Sequence, residues 1–170
     1  MTFLRAYFVA ATCALMLGAP VSAENLAAPT GEVILTVSGD VASTNQGETA
    51  AFDLDMLEGF EVTEFSTETP WTEGVQTFEG VSLKALMDAL GVTEGTIKAT
   101  AINDYAVDIP VADAVVDGPI IAFRRNGEPM SVRDKGPLWV VYPYDLNDAY
   151  QTEVVYSRSI WQLDRLDINP

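Results

Sequence analysis

The chain has no histidine among its 170 residues and a single cysteine, Cys13. The first absence removes Ser-His-Asp and Cys-His catalysis and the common imidazole zinc sites in one step. The second leaves no thiolate beyond position 13 for catalysis, for an iron–sulfur cluster or for a disulfide. Positive charge is also scarce: nine Lys and Arg against 25 Asp and Glu give a net charge of −16. A field of that sign repels nucleic acid and anionic membrane surfaces, so no nucleic-acid partner is expected. Neither G-x-x-x-x-G-K-[ST] nor G-x-G-x-x-G occurs, so the two common phosphate-cradling loops are missing. Asp53-Leu54-Asp55 and Asp145-Leu146-Asn147-Asp148 come nearest to a calcium loop. Both lack its glycine and distal glutamate, and they read as cap and turn residues.

Long apolar runs are confined to the start. A positive Met1–Arg5, an apolar Ala6–Leu17 and the small-residue site Val21-Ser22-Ala23 form the pattern of an export leader over residues 1–23. Cys13 lies inside the apolar run, upstream of the better cleavage site. An exported protein of the bacterial periplasm is therefore expected. Residues 24–170 would form one domain, long enough to bury a core without disulfides. No later run could serve as a helical membrane anchor.

What is present reads as many short strands and one good helix. Val33, Leu35 and Val37 alternate across Glu32–Ser38, and Val62–Thr67 alternates again. Asp53 is placed to cap a short helix through Asp55-Met56-Leu57, ended at Gly59. Ser82 opens a helix with Leu83, Leu86, Met87 and Leu90 on one face and Gly91 just past its end. Further strands are expected over 96–102, 119–125, 138–142 and 159–168. Ala106–Ile109 would extend the pairing, Pro110–Ala114 would make a helical turn, and Pro70–Phe78 would form a loop. The class is α+β, mainly β.

Half of the eight basic residues after the leader fall within 12 positions: Arg124, Arg125, Arg133 and Lys135. Asn126-Gly127 between them is the strongest short signal for a tight hairpin, because both residues tolerate positive φ. Bidentate arginines suit carboxylate or phosphate, so the cluster is a candidate anion site. Strand neighbours point to opposite faces, so at most one of Arg124 and Arg125 can serve one pocket. Arg158 is a further candidate, with pairing to an acid as its alternative. Among the aromatics, Trp161 and Trp139 read as core. Trp71, in a polar loop after Pro70, reads as the best ligand contact.

Two segments resemble the sulfite oxidase-like molybdopterin-binding domain. One is Thr67–Trp71 followed by Phe78-Glu79-Gly80-Val81-Ser82-Leu83-Lys84-Ala85-Leu86-Met87; the other is Asn126-Gly127-Glu128-Pro129-Met130 with Gly136-Pro137-Leu138-Trp139-Val140-Val141-Tyr142-Pro143. Arg158–Leu166 is similar to the family's closing segment. The resemblance implies that fold, with mixed sheets around the helix at 82–90, and molybdopterin as the family's cofactor. It also implies a pocket near Thr67, with Asn103 and Tyr105 facing the same loop. In active members a cysteine four residues before the Trp ligates molybdenum; here Thr67 holds that place, a hard, neutral oxygen in place of a soft thiolate. The family's phosphate-holding arginine corresponds to Trp139. The expectation is a non-catalytic binding protein with a pocket drawn from Thr67, Trp71, Asn103, Tyr105, Arg124, Arg133, Lys135 and Arg158. Its ligand would be a small anionic or planar molecule, or its partner a periplasmic or membrane protein. A molybdopterin oxidoreductase with oxygen ligation and an acidic assembly protein are the rival readings.

Overall fold

The computed structural model describes residues 26–170, so the expected leader lies outside the described residues. In chain order the strands are β1 (Leu35–Gly39), β2 (Ala50–Phe52), β3 (Val62–Thr67), β4 (Gln76–Ser82), β5 (Thr96–Ala101), β6 (Ala106–Pro110), β7 (Ile120–Arg125), β8 (Glu128–Pro129), β9 (Leu138–Val141) and β10 (Trp161–Asn169). The helices are α1 (Leu54–Glu58), α2 (Leu83–Leu90) and α3 (Glu153–Ser157), joined by short 3₁₀ turns. The mainly-β, α+β expectation holds. Among these residues no helix is long and apolar enough to cross a membrane.

The sheet runs β2-β1-β10-β9-β7-β4-β3, with β5 and β6 joining through β10 and β8 through β7. β10 is the hub. It lies parallel to β1 and antiparallel to β5 over its second half, and antiparallel to β9 at its start. The change of partners is accompanied by a bulge between Trp161 and Leu163. Gln162 sits there at φ +53, a left-handed conformation that a strand residue seldom adopts.

Local chemistry explains the secure elements. Asp53 caps α1 by accepting from the Met56 N–H at 2.9 Å, and its other oxygen accepts from Thr30 and Gly31 at 2.7 Å each. These donors, Gly31 foremost, hold the Asp53 carboxyl below its usual range. They also tie the segment before β1 to the cap of α1. α2 buries Leu83, Leu86, Met87 and Leu90. Gly91, at φ +72, donates to Asp88 O, and Val92 donates to Met87 O, which together close a Schellman motif. The expected cap at Ser82 makes no side-chain bond.

Three elements depart from the sequence reading. β4 begins at Gln76, inside the expected loop, because a register shift against β7 between Glu79 and Gly80 disrupts its alternation. Gly80 is required there: a Cβ would lie 2.2 Å from Ile121 O. β2 is a wholly buried three-residue strand and so shows no alternation. α3, capped by the Thr152 hydroxyl on the Val155 N–H, is only five residues long and too short to show a period.

Candidate functional site

The Asn126-Gly127 turn forms as expected, with φ +55 and +79. Its Asn126 side chain accepts from the Thr77 N–H at 2.9 Å and donates to Gln76 Oε1 at 2.9 Å, so β7 and the start of β4 are fixed side by side. The next loop turns back at Lys135, φ +75, and Gly136. A Cβ on Gly136 would lie 1.9 Å from Met130 O, so only glycine permits this close approach. The β10 bulge anchors the loop: Gln162 donates its N–H to Lys135 O at 3.0 Å and its side-chain amide to Val132 O at 2.7 Å.

Behind that loop stand all three tryptophans. Trp71 meets Trp139 and Trp161 edge-on at 6.1 and 5.6 Å between ring centres, and Trp139 meets Trp161 at 6.2 Å. Tyr156 of α3 packs edge-on to Trp71 at 6.0 Å. Such geometry sets the positive ring edge against a negative face. Trp139 is fully buried, with its indole N–H donating to Ser159 O at 3.2 Å. Trp71 and Trp161 are half-buried and show surface to the outside. The Lys135 ammonium lies 4.7 Å from the Trp161 ring centre and 5.8 Å from that of Trp139, within cation–π range.

Two recesses adjoin this cluster, and Trp71 lines both. The larger, about 530 Å³, is walled by Trp71, Tyr156, Trp161, Ile160, Asn103 and Tyr105, and Glu153 is the one charged residue lining it. The second, about 390 Å³, is a polar trough with Arg125, Arg133 and Lys135 against Glu73 and Asp134. Both volumes fall in the range of small-molecule sites.

Five of the eight residues expected at a pocket therefore line one: Trp71, Asn103 and Tyr105 the cavity, Arg133 and Lys135 (with Trp71) the trough. Three do not. Thr67 is completely buried at the end of β3; its hydroxyl donates to Glu68 O and accepts from the Asp145 N–H, each at 3.2 Å. Arg124 pairs with Glu58 of α1 on the face away from the trough, and its neighbour Arg125 takes the place expected of it. Arg158 pairs with Asp113 at 2.8 Å, an oxygen that also accepts from the Tyr142 hydroxyl at 2.7 Å. Burial, reinforced by that bond, pushes the Tyr142 phenol far above its usual range. Burial also raises Tyr144, bonded to Ser159 below the cavity, to about 12.

Trp161 is not simple core but a cavity wall. Tyr156 and Gln162 complete the cavity wall and carry no signal in the sequence that marks them for it, while Arg125 of the basic cluster lines the trough. The parity of adjacent strand residues already offered Arg125 as the alternative to Arg124.

The donor set does not fit a molybdenum centre of the kind the resemblance implies. Position 67 offers an alcohol whose hydrogen bonds are spent on backbone partners, and position 139 offers an apolar ring in place of a guanidinium. Among the described residues no group of three or more Cys, Asp or Glu is placed to hold a metal ion.

The scaffold's ancestry is nonetheless plain. The family model for the oxidoreductase molybdopterin binding domain matches residues 41–146, which run from the β1–β2 connection to the turn after β9. No curated protein matches the chain. With that match spanning more than half of its length, and the curled, mainly-β sheet to go with it, the chain belongs to the oxidoreductase molybdopterin binding domain family, the sulfite oxidase-like fold.

Proposed function

We propose that this protein is an exported, non-catalytic binding module that holds a small planar or anionic molecule where its relatives hold a redox cofactor. One observation carries this reading: Trp71 lines both an aromatic cavity and a trough of cations without ion-pair partners among the described residues, while Thr67 is fully buried and lines neither. A ligand stacking on Trp71 and Trp161 would displace water from ring faces that now touch solvent. Base- or ligand-to-aromatic stacking of this kind contributes about 1–3 kcal/mol per ring. An anionic group would meet Arg125, Arg133 and Lys135 without first breaking a salt bridge among the described residues.

Native mass spectrometry of the protein purified from its own source, with metal analysis on the same sample, tests the reading. The expected result is a bound organic molecule of a few hundred daltons (about the size such cavities take) with molybdenum far below one per chain. Molybdenum near one per chain, with a charge-transfer band in the visible, would replace the reading with that of an oxygen-ligated oxidoreductase.

A further inference from the structure

The two recesses differ in charge in a way that restricts the ligand, and this rests on the reading that they bind one. The trough is lined by three cations and two acids, Glu73 and Asp134, a balance of one positive charge. Around it the chain carries a net charge of −16. A group with two or more negative charges would be neutralised only in part by the trough and would meet the repulsion of the whole acidic surface. The cavity has the opposite sign: its single charged lining residue is Glu153, and Asn103, Ser157 and Ser159 are neutral. A charged end of an anion is therefore disfavoured in the cavity and favoured in the trough.

Geometry sets how the two ends would be joined. Trp71 lines both recesses, and Lys135 in the trough lies 4.7 Å from Trp161, which walls the cavity. The distance from aromatic wall to ammonium is thus about one ring. A flat body at the rim of Trp71, the residue common to both recesses, with an acid attached directly or through one carbon and turned to the trough, carries that acid towards Lys135.

From these charges and distances we infer that the ligand is an aromatic monoanion, a flat ring system of one or two fused rings bearing one carboxylate or sulfonate. Its ring occupies the cavity beside Trp71, Tyr156 and Trp161, and its acid group lies against Lys135 and Arg133. Dianionic phosphate esters and aliphatic acids are disfavoured by the same features, the first by the charge balance and the second because they cannot stack on the aromatic walls.

Calorimetry on the whole protein with four probes tests this: 2-naphthoate, its neutral amide, 2-naphthyl phosphate and octanoate. Tryptophan fluorescence locates the binding, because all three tryptophans of the chain belong to the one cluster. Naphthoate should bind about tenfold tighter than each of the other three, the size of one charge-assisted contact or one stacked ring. Lys135→Gln and, independently, Arg133→Gln should each reduce the naphthoate-to-naphthamide ratio about fivefold. Lys98→Gln, an exposed charge on β5, should leave the ratio unchanged. Equal binding of amide and acid, tightest binding of the phosphate ester, or a ratio unmoved in both trough variants would overturn the inference. If none of the probes binds while an organic molecule co-purifies, the inference falls and the binding-module reading survives. If none binds and nothing co-purifies, both fall.

Discussion

The Arg158 corner and the Lys135 trough show two uses of positive charge in one acidic protein. At the corner, Arg158 and Tyr142 converge on a single oxygen of Asp113, a half-buried arrangement in which the acceptor serves two donors. In the trough, Arg125, Arg133 and Lys135 have no ion-pair partner among the described residues, although Glu73 and Asp134 line the same recess. Supply of acids is not the cause, since there are 25 in the chain. Arg124, one residue from Arg125, finds Glu58. The corner is closed on itself and serves the fold; the trough is left open, which costs the fold little and keeps its cations available to something else.

The largest expected effect comes from removing the trough's support. Gly136→Ala brings a methyl carbon to within 1.9 Å of Met130 O, and backbone cannot give way cheaply. The loop must move off β10, breaking the bonds between Gln162 and the Lys135 and Val132 carbonyls. Urea unfolding should show a loss of about 2–3 kcal/mol, the usual cost of overpacking. Ligand binding should be lost along with it.

A smaller pair of changes contrasts the two regions directly. Asp113→Ala leaves the Arg158 guanidinium and the buried Tyr142 hydroxyl without their shared acceptor and should cost about 2 kcal/mol in the same measurement. Lys135→Gln should cost no more than about 1 kcal/mol, the size of an exposed cation–π contact. Comparable losses from the two would mean that Lys135 also serves the fold, and the contrast would fail.

The same contrast marks what could be read in advance. α2 and the Asn126-Gly127 turn were legible because their signals are local: a leucine face ended by Gly91, and two residues tolerant of positive φ. β4 was not, because its alternation is disrupted at Gly80, where another strand's backbone approaches. Trp161 reads as core from the sequence because large aromatics usually are; the bulge at Gln162, which follows it, re-aims the strand there and is invisible in the sequence. Sequence could say that Arg124 and Arg125 diverge but not which one faces Trp71, since Glu58, 66 residues earlier, decides it. Thr67 is a pocket candidate through resemblance alone, and the hydroxyl's partner that takes it out of play, the Asp145 N–H, lies 78 residues away. Interactions closed within a few residues were readable; those closed across the sheet were not.

Asp164 lies between the two extremes and carries the smallest expected effect. One of its oxygens accepts from Arg165 at 3.1 Å, whereas Oδ1 is buried without a hydrogen-bond partner among the described residues, so this network is only half closed. Burial raises its carboxyl above the ordinary 3.8, an effect that neighbouring Arg165 reduces but does not cancel. A carboxyl that binds its proton more tightly folded than unfolded contributes stability at low pH, and that contribution is lost as pH rises through the folded value. At pH 7 the charged form is therefore a liability to the fold. Asp164→Asn should raise the melting temperature at pH 7 by about 1–2 °C, since about 1 kcal/mol moves a domain of this size by 2–4 °C. The gain should vanish as pH falls towards the ordinary value, where wild-type Asp164 takes up its proton. A fall in melting temperature at pH 7 would show instead that attraction to Arg165 outweighs burial, and that this third network is as closed as the Arg158 corner.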